Sequence, residues 1–427
     1  MMKKPFFGLS KPRVVYPPSL KTFPTPTSIT TPGRVTLLIK GALTCVDPDV
    51  LKKGDCVKTG QKILLSKSTA GYAIASVTGK ISDISLFMGD FGKEYVAVTI
   101  DAAETEAFDD AFGAVAGTPN LQGAIDFLMG VPGGPPLSVF LDSEKKLHTL
   151  VIQAEDQELM VSTNRYIASN RFDSLKKGID MLKTITGIEK VMVVTSRDRI
   201  QSFGSINAEI RAVDGAYPSA FPVSVMNDLM GIVVPAGMAP EDKGVVFFSA
   251  EAAAAIGDAF DTGRLPVQKI VTVIHKDGRQ TLFSARIGTP IREIVAACGE
   301  SLSDLDRLIV GGPLTGRAIY TETHPVEPDT DAIMLQDKAD IPFVSDYPCI
   351  NCGECIRVCP VNIAVNMLVR FLEAGAYEGA ADEYDLHSCI ECGLCSYACV
   401  AKIPIFQYIR LAKYELSRIR AAEEKNV

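Results

Sequence analysis

The sequence predicts a multidomain chain that mixes α+β and α/β units, and three observations predict it. Its 427 residues exceed what one compact core usually holds. The texture changes along the chain, from β-like alternation to strands alternating with helices. Eight of its 11 cysteines crowd between Cys349 and Cys399.

Composition narrows the class. Hydrophobic residues make up 47% and charged residues 22%, enough apolar material for several cores. A net charge of −8 argues against a nucleic-acid partner, which would call for a basic surface. The start, MMKKPFFGLSKPRVVYPP, lacks the apolar stretch of a secretory signal. No apolar run of about 18 residues occurs, so no transmembrane helix is expected.

Residues 1–34, rich in Pro, Thr and Ser, read as an extended N-terminal arm without a periodic apolar face. Residues 35–105 read as an all-β unit: VTLLIKG, QKILLS, YAIASVTGKISDI and YVAVTI are strand-like, separated by KKGD and MGDFG. Residues 101–135 turn acidic and then rich in Gly and Pro, the composition of a boundary or long loop. The α/β unit is placed at 106–262. HTLVIQA and IEKVMVVTS read as strands, and MGIVVPAG and KGVVFFS continue the pattern. Phe172, Leu175, Ile179, Leu182 and Ile185 recur at helical spacing, and Ser249 is placed to cap a following helix. Residues 263–338 order strands and a helix as a β-grasp would. There Thr289 is expected at the N-cap and Pro290 at the first helical position. Residues 339–404 are the cysteine module and 405–427 the C-terminal helix.

The cysteines form two runs, Cys349-x2-Cys352-x2-Cys355-x3-Cys359-Pro360 and Cys389-x2-Cys392-x2-Cys395-x3-Cys399. Both have the spacing of bacterial two-cluster ferredoxins, in which the fourth cysteine of each run serves the other cluster. Three thiolates in one tight loop can occupy three corners of a cubane. The fourth cysteine is expected to begin a helix and point across. Cluster 1 is therefore assigned to Cys349, Cys352, Cys355 and Cys399, and cluster 2 to Cys389, Cys392, Cys395 and Cys359. Gly353 and Gly393 occupy matching loop positions, where a positive φ lets backbone N–H groups approach the sulfurs. Paired zinc knuckles are the competing reading; no histidine lies inside either run. The one irregularity is Val400 where a proline usually follows the fourth cysteine.

Cys45, Cys56 and Cys298 read as small buried hydrophobes. His148, His275, His324 and His387 are dispersed, and only His387 stands near a cysteine run, where it reads as a neighbour of the cluster ligands or a surface residue. The C-terminal helix carries Ile405, Ile409, Ala412, Leu416 and Ile419 on one side, with Arg410, Lys413, Arg418 and Arg420 around it. Two readings stand: a helix packed on the cluster module, or a docking face for a membrane subunit or anionic lipid.

Three groups of motifs carry a family resemblance: GDCVKTGQKI with SVTGKI, ARIGTPIREI with VGGPLTG, and CINCGECIRVCPVNI with CIECGLCSYACVAKIPIFQYIRLAKYEL. In this order they resemble the C subunit of Rnf-type complexes, membrane-bound ion-translocating ferredoxin:NAD oxidoreductases. The resemblance implies a barrel-sandwich hybrid for the β unit and a soluble-ligand-binding (SLBB-type) β-grasp for residues 263–338. For the α/β unit it implies a complex-I-flavoprotein-like domain binding FMN and NADH. It further implies two [4Fe–4S] clusters, membrane subunits as partners, ferredoxin or NADH on the soluble side, and a peripheral place on the cytoplasmic face of the inner membrane. Lys67 lies near the hairpin where a lipoyl-type domain carries its attachment lysine, and reads as a surface residue.

The flavin elements depart from the family pattern. Gly133 and Gly134, in GVPGGPPLSVF, are the remnant of the flavin loop, and Pro135 and Pro136 remove N–H donors beside them. Ala154 and Glu155 survive from the second element, with Asp156 replacing its cysteine. The third element appears as Tyr217, Pro218, Ser219, Ala220, Phe221 and Pro222, without its Gly and Glu. The reading divides between retained FMN and NADH binding and a scaffold that has kept only the fold.

Overall fold

The structure, a computed structural model, describes residues 13–16, 23–68, 71–345 and 347–424. Strand β1 (Thr27–Ser28) lies in the arm, followed by β2 (Arg34–Lys40), β3 (Cys56–Val57), β4 (Lys62–Leu64), β5 (Tyr72–Ile74), β6 (Gly79–Met88) and β7 (Glu94–Ala102). The sheet β2-β7-β6-β3 packs beside the β4–β5 hairpin. Val35, Leu37 and Ile39 alternate inward on β2 and face Ile100, Val98 and Val96 of β7, the period-2 pattern of a one-sided sheet. The run YAIASVTGKISDI is not one strand. It divides into β5 and β6, which belong to different sheets. Lys67 is exposed in the turn after β4.

The next stretch is not a simple loop, because α1 (Ala111–Gly117) and α2 (Leu121–Leu128) lie in it. The Asn120 side chain accepts the Gly123 N–H at 2.8 Å and starts α2. Then come β8 (Thr149–Gln153), α3 (Thr163–Asn170), α4 (Phe172–Thr186), β9 (Val191–Ser196), β10 (Glu209–Val213), α5 (Pro222–Met230), β11 (Val245–Ser249) and α6 (Ala250–Thr262). The strands form a parallel sheet ordered β10-β9-β8-β11. β8 is buried along its whole length, as a central parallel strand covered on both faces must be. MGIVVPAG is not a strand. α5 ends at Gly231, and the fourth parallel strand is the half-exposed β10 instead. Its exposed charged residues hide the apolar run that an inner strand displays.

Leu175, Ile179, Leu182 and Ile185 are buried on α4, as their spacing predicts. The Ser249 hydroxyl accepts the Ala252 N–H at 3.0 Å and caps α6. α4 and α6 cross closely at two glycines. A Cβ on Gly178 would stand 1.7 Å from the Ala253 carbonyl oxygen, and one on Gly257 would stand 2.3 Å from that of Ser174.

A six-stranded mixed sheet follows, ordered β1-β13-β12-β16-β14-β15. It uses β12 (Gln268–Ile274), β13 (Gln280–Arg286), α7 (Ile291–Ala297), β14 (Arg307–Val310), β15 (Arg317–Ile319) and β16 (Ala332–Gln336). The arm is extended but docked: β1 pairs in parallel with β13, and Phe23 is buried. Residues 1–12 and 17–22, which carry much of the arm reading, lie outside the described residues. α7 starts one residue later than expected, with Pro290 as its N-cap. Pro290 bridges Pro325, and the Val326 N–H goes to the Thr289 carbonyl at 2.8 Å. That extended pairing delays the helix.

The module that follows contains α8 (Glu354–Val358), α9 (Val365–Glu373), α10 (Tyr377–Glu383), α11 (Leu394–Ala398) and α12 (Ile405–Glu424). Its core joins Val365, Leu368, Val369 and Leu372 to Ile405, Ile409, Ala412 and Leu416. Ile419, placed on the same face by spacing, is exposed at 39%. Among the described residues no helix is long and apolar enough to cross a membrane.

The three isolated cysteines depart from their reading. Cys45 and Cys56 are exposed and Cys298 is half-buried. On the short strand β3, Val57 takes the inward position and Cys56 the outward one.

Candidate iron–sulfur site and the crevice beside it

Both cysteine runs fold the same way, 40 residues apart. Asn351 and Glu391 have φ of 57° and 56°, Gly353 and Gly393 have 74° and 73°, and Asn362 and Lys402 have 59° and 60°. Gly353 and Gly393 are the flanking residues that start α8 and α11. Each fourth cysteine ends its short helix rather than beginning one: Cys359 and Cys399 flank the C-termini of α8 and α11 in extended geometry, with ψ of 120° and 116°. An x3 spacing gives one helical turn between the third and fourth thiols, and the chain then turns outward. Val400 leaves this conformation unchanged from its proline-bearing counterpart.

Backbone N–H groups point at the sulfurs in matched pairs. Asn351 and Glu391 donate to Cys349 and Cys389, and Ile363 and Ile403 donate to Cys359 and Cys399, each at 3.4 Å. Such donors stabilise thiolate charge. Burial pushes the Cys355 thiol up to about 11, and the neighbours Cys349, Cys352 and Cys399 add to the rise. Burial also pushes Cys392 up to about 12, with Cys389 and Cys359 adding. Cys395 is raised by burial and then by Cys389, Cys392 and Cys359. The thiols thus gather as two groups, each with its fourth member from the opposite run. Four thiolates crowded this way need a cationic core.

A zinc site would draw its sulfurs to about 2.3 Å from one metal, whereas a cubane gives each thiolate its own iron. The donor set fits the cubane.

The two groups sit in different surroundings. Cys352 is exposed and Cys392 is buried. The Tyr217 hydroxyl donates to the Cys392 carbonyl at 2.7 Å, so the third flavin element packs against the second cysteine loop. A Cβ on Gly393 would lie 2.3 Å from the Leu314 carbonyl oxygen, which brings the turn after β14 onto the same loop. The basic residues of α12 are engaged as well. Arg410 pairs with Asp90 at 3.2 Å, Arg418 with Glu415 at 2.8 Å, and Arg420 lies 3.1 Å from His387. Arg410 thus reaches the β6–β7 turn, Arg418 a neighbour on α12 itself, and Arg420 the segment before the second cysteine run.

The parallel sheet reverses its strand order between β8 and β11, and α/β sheets bind ligands outside the carboxyl ends of strands at such a crevice. A cavity of about 330 Å³ lies there, lined by Gln153, Glu155, Asp156, Glu158, Ser249 and Asp329 among others. A flavin phosphate needs free N–H groups and positive charge. Here the Gly133 N–H is spent on the Pro328 carbonyl at 2.7 Å and the Gly134 N–H on that of Val131 at 3.0 Å. A Cβ on Gly133 would stand 2.3 Å from the Ala252 nitrogen, so the loop is pressed onto the start of α6.

The carboxylates are committed internally. Glu155 accepts the Ser196 N–H at 3.0 Å and lies 3.4 Å from Arg165; burial holds it up at about 7, against the pull of Arg165. Asp156 accepts the Asn164 N–H at 2.8 Å and pairs with Arg165 at 3.1 Å, capping α3. Glu158 accepts from the Leu314 and Thr315 backbone and the Thr315 hydroxyl. These residues do not fit a flavin phosphate. Sequence reasoning found Gly133, Gly134 and Glu155 but not Glu158, whose role depends on a turn more than 150 residues away.

A family model described as a 4Fe–4S dicluster domain matches residues 341–400. With the two cysteine runs, this defines an iron–sulfur protein of the two-cluster class, carrying two [4Fe–4S] clusters. The chain is 33% identical over 285 residues to the C subunit of the ion-translocating oxidoreductase complex of Pseudomonas aeruginosa, in an alignment covering 65% of this chain and 37% of that one. It is 28% identical over 422 residues to the C subunit of the proton-translocating ferredoxin:NAD(+) oxidoreductase complex of Clostridium ljungdahlii, covering 92% of this chain and 90% of that one. The chain thus spans little more than a third of the Pseudomonas relative and nearly all of the Clostridium one. Both relatives are C subunits of ion-translocating oxidoreductase complexes, and this chain is similar to them. A solved NAD+-reducing [NiFe]-hydrogenase chain aligns with 74% of this chain and 69% of its own length at 15% identity, with a TM-score of 0.47.

Proposed function

We propose that this chain is the electron-transfer subunit of a membrane-associated ion-translocating complex. It passes electrons one at a time through its two clusters, between a soluble redox partner and membrane subunits. What supports this reading is that Cys399 neighbours Cys355 while Cys359 neighbours Cys389, Cys392 and Cys395; fourth cysteines exchanged in this way put the two clusters on one short path. Cluster 1 is held by Cys349, Cys352, Cys355 and Cys399, and cluster 2 by Cys389, Cys392, Cys395 and Cys359. The β-sheet unit at 35–105 serves as a barrel-sandwich hybrid, residues 106–262 as the flavoprotein-like α/β domain and residues 263–338 as an SLBB-type β-grasp spacer. The chain sits peripherally, on the cytoplasmic face of the membrane.

The second reading concerns the electron source. The acidic crevice and the committed N–H groups of Gly133 and Gly134 favour a subunit that has lost FMN and NADH and takes electrons from another redox protein, such as ferredoxin. Anaerobic purification with iron, sulfide and flavin analysis, followed by NADH titration, tests both. About eight irons per chain, no flavin and no bleaching by NADH are expected. Bound FMN reduced by NADH would overturn the second reading, and far fewer irons would overturn the first.

A further inference from the structure

The 40-residue repeat is nearly symmetric in backbone but not in charge. The Lys413 ammonium donates to the Cys389 carbonyl at 2.7 Å and to the Glu391 carboxylate at 2.8 Å. The Lys413 side chain is 22% exposed and that of Glu391 is 41% exposed, so the cation is the more enclosed of the two. It also makes the direct contact with the cysteine's own carbonyl. At the repeat-related positions stand Asn351 and the exposed Glu373. Asn351 is held by the Asn366 amide at 2.6 Å, and an acidic residue occupies the position that corresponds to Lys413.

The surroundings make this asymmetry matter. Reduction adds negative charge to a cluster. An enclosed site such as that of Cys392 opposes added charge more than the exposed site of Cys352 does. A nearby cation in a site of low dielectric offsets that penalty. We propose that Lys413 is a potential-setting residue that raises the reduction potential of the enclosed cluster 2, with Glu391 opposing it from the solvent side. This rests on the ligand assignment proposed above.

The test uses the full chain, loaded anaerobically with iron and sulfide and titrated with dithionite under EPR. The signal altered by Cys352→Ser belongs to cluster 1 and the other to cluster 2. Lys413→Gln is expected to move the cluster 2 midpoint to more negative potential and Glu391→Gln to more positive potential. Lys413→Arg should keep the parent value, and cluster 1 should not move in any of the three. A purely structural role, holding α12 on the loop, would shift the Lys413→Gln and Glu391→Gln variants in the same direction. Unmoved midpoints, or shifts of one sign, overturn the proposal. If Lys413→Gln fails to load, Glu391→Gln decides by the sign of its shift. A parent chain with far fewer than about eight irons would instead overturn the ligand assignment, and the proposal with it. Full loading with an unmoved midpoint overturns the Lys413 role alone.

Discussion

At the scale of single residues, the cysteines differ by position in their run more than by chemistry. Cys355 neighbours Cys349, Cys352 and Cys399, while Cys359 neighbours Cys389, Cys392 and Cys395. Cys359→Ala is therefore expected to remove cluster 2 and spare cluster 1, although it lies in the first run. Cys399→Ala should do the reverse, and each should lower the iron content from about eight to about four. EPR of the reduced variants checks this. If Cys359→Ala altered the same signal as Cys352→Ser, the crossing would be wrong.

Among the elements, the contact between α4 and α6 is the most sterically constrained on the sheet. Both Gly178 and Gly257 lie where any side chain would meet a carbonyl of the other helix. Gly178→Ala must push the helices apart, and overpacking of this kind costs about 1–3 kcal/mol or more. A fall of several degrees in the first thermal transition of the cluster-loaded chain is the expected outcome. The wild-type melting temperature in Gly178→Ala would mean that the helices are free to separate. α12 shows the same interplay of face and context. Ile405, Ile409, Ala412 and Leu416 are buried as their spacing predicts, but which partner each basic residue takes depends on the loops brought beneath it.

For the whole molecule, the join between the parallel sheet and the six-stranded sheet depends on a buried charge cluster. Lys269 on β12 is fully buried and pairs with Glu251 at the start of α6 and with Asp331 at 2.9 Å. Lys269→Met would leave the buried Glu251 carboxylate without its counter-charge. Breaking a buried pair from one side costs about 3–5 kcal/mol. Denaturant unfolding of Lys269→Met should show that loss, and Lys269→Met combined with Glu251→Gln should recover part of it. No recovery in the double variant would argue against coupling across the join.

Much of this was legible in the sequence. The two cysteine runs and their ferredoxin spacing, the Ser249 cap and the face of α4 all follow from local patterns, because thiol spacing and helical period act within a few residues. Less legible were β10, whose edge-strand exposure breaks the apolar pattern, and α1 and α2, hidden in a stretch that reads as a loop. The sequence by itself determined that this chain holds paired clusters and that its flavin elements had changed. Only the tertiary structure decided what surrounds the altered flavin elements. Glu155, Glu158 and Asp329 line one crevice, and the Tyr217 stretch turns to the second cysteine loop. The same holds for the charge beside cluster 2, since Lys413 reaches Cys389 only because α12 folds back under the loop. Electrostatics acts through space, and the residues that set it here lie too far apart along the chain for any local pattern to join them.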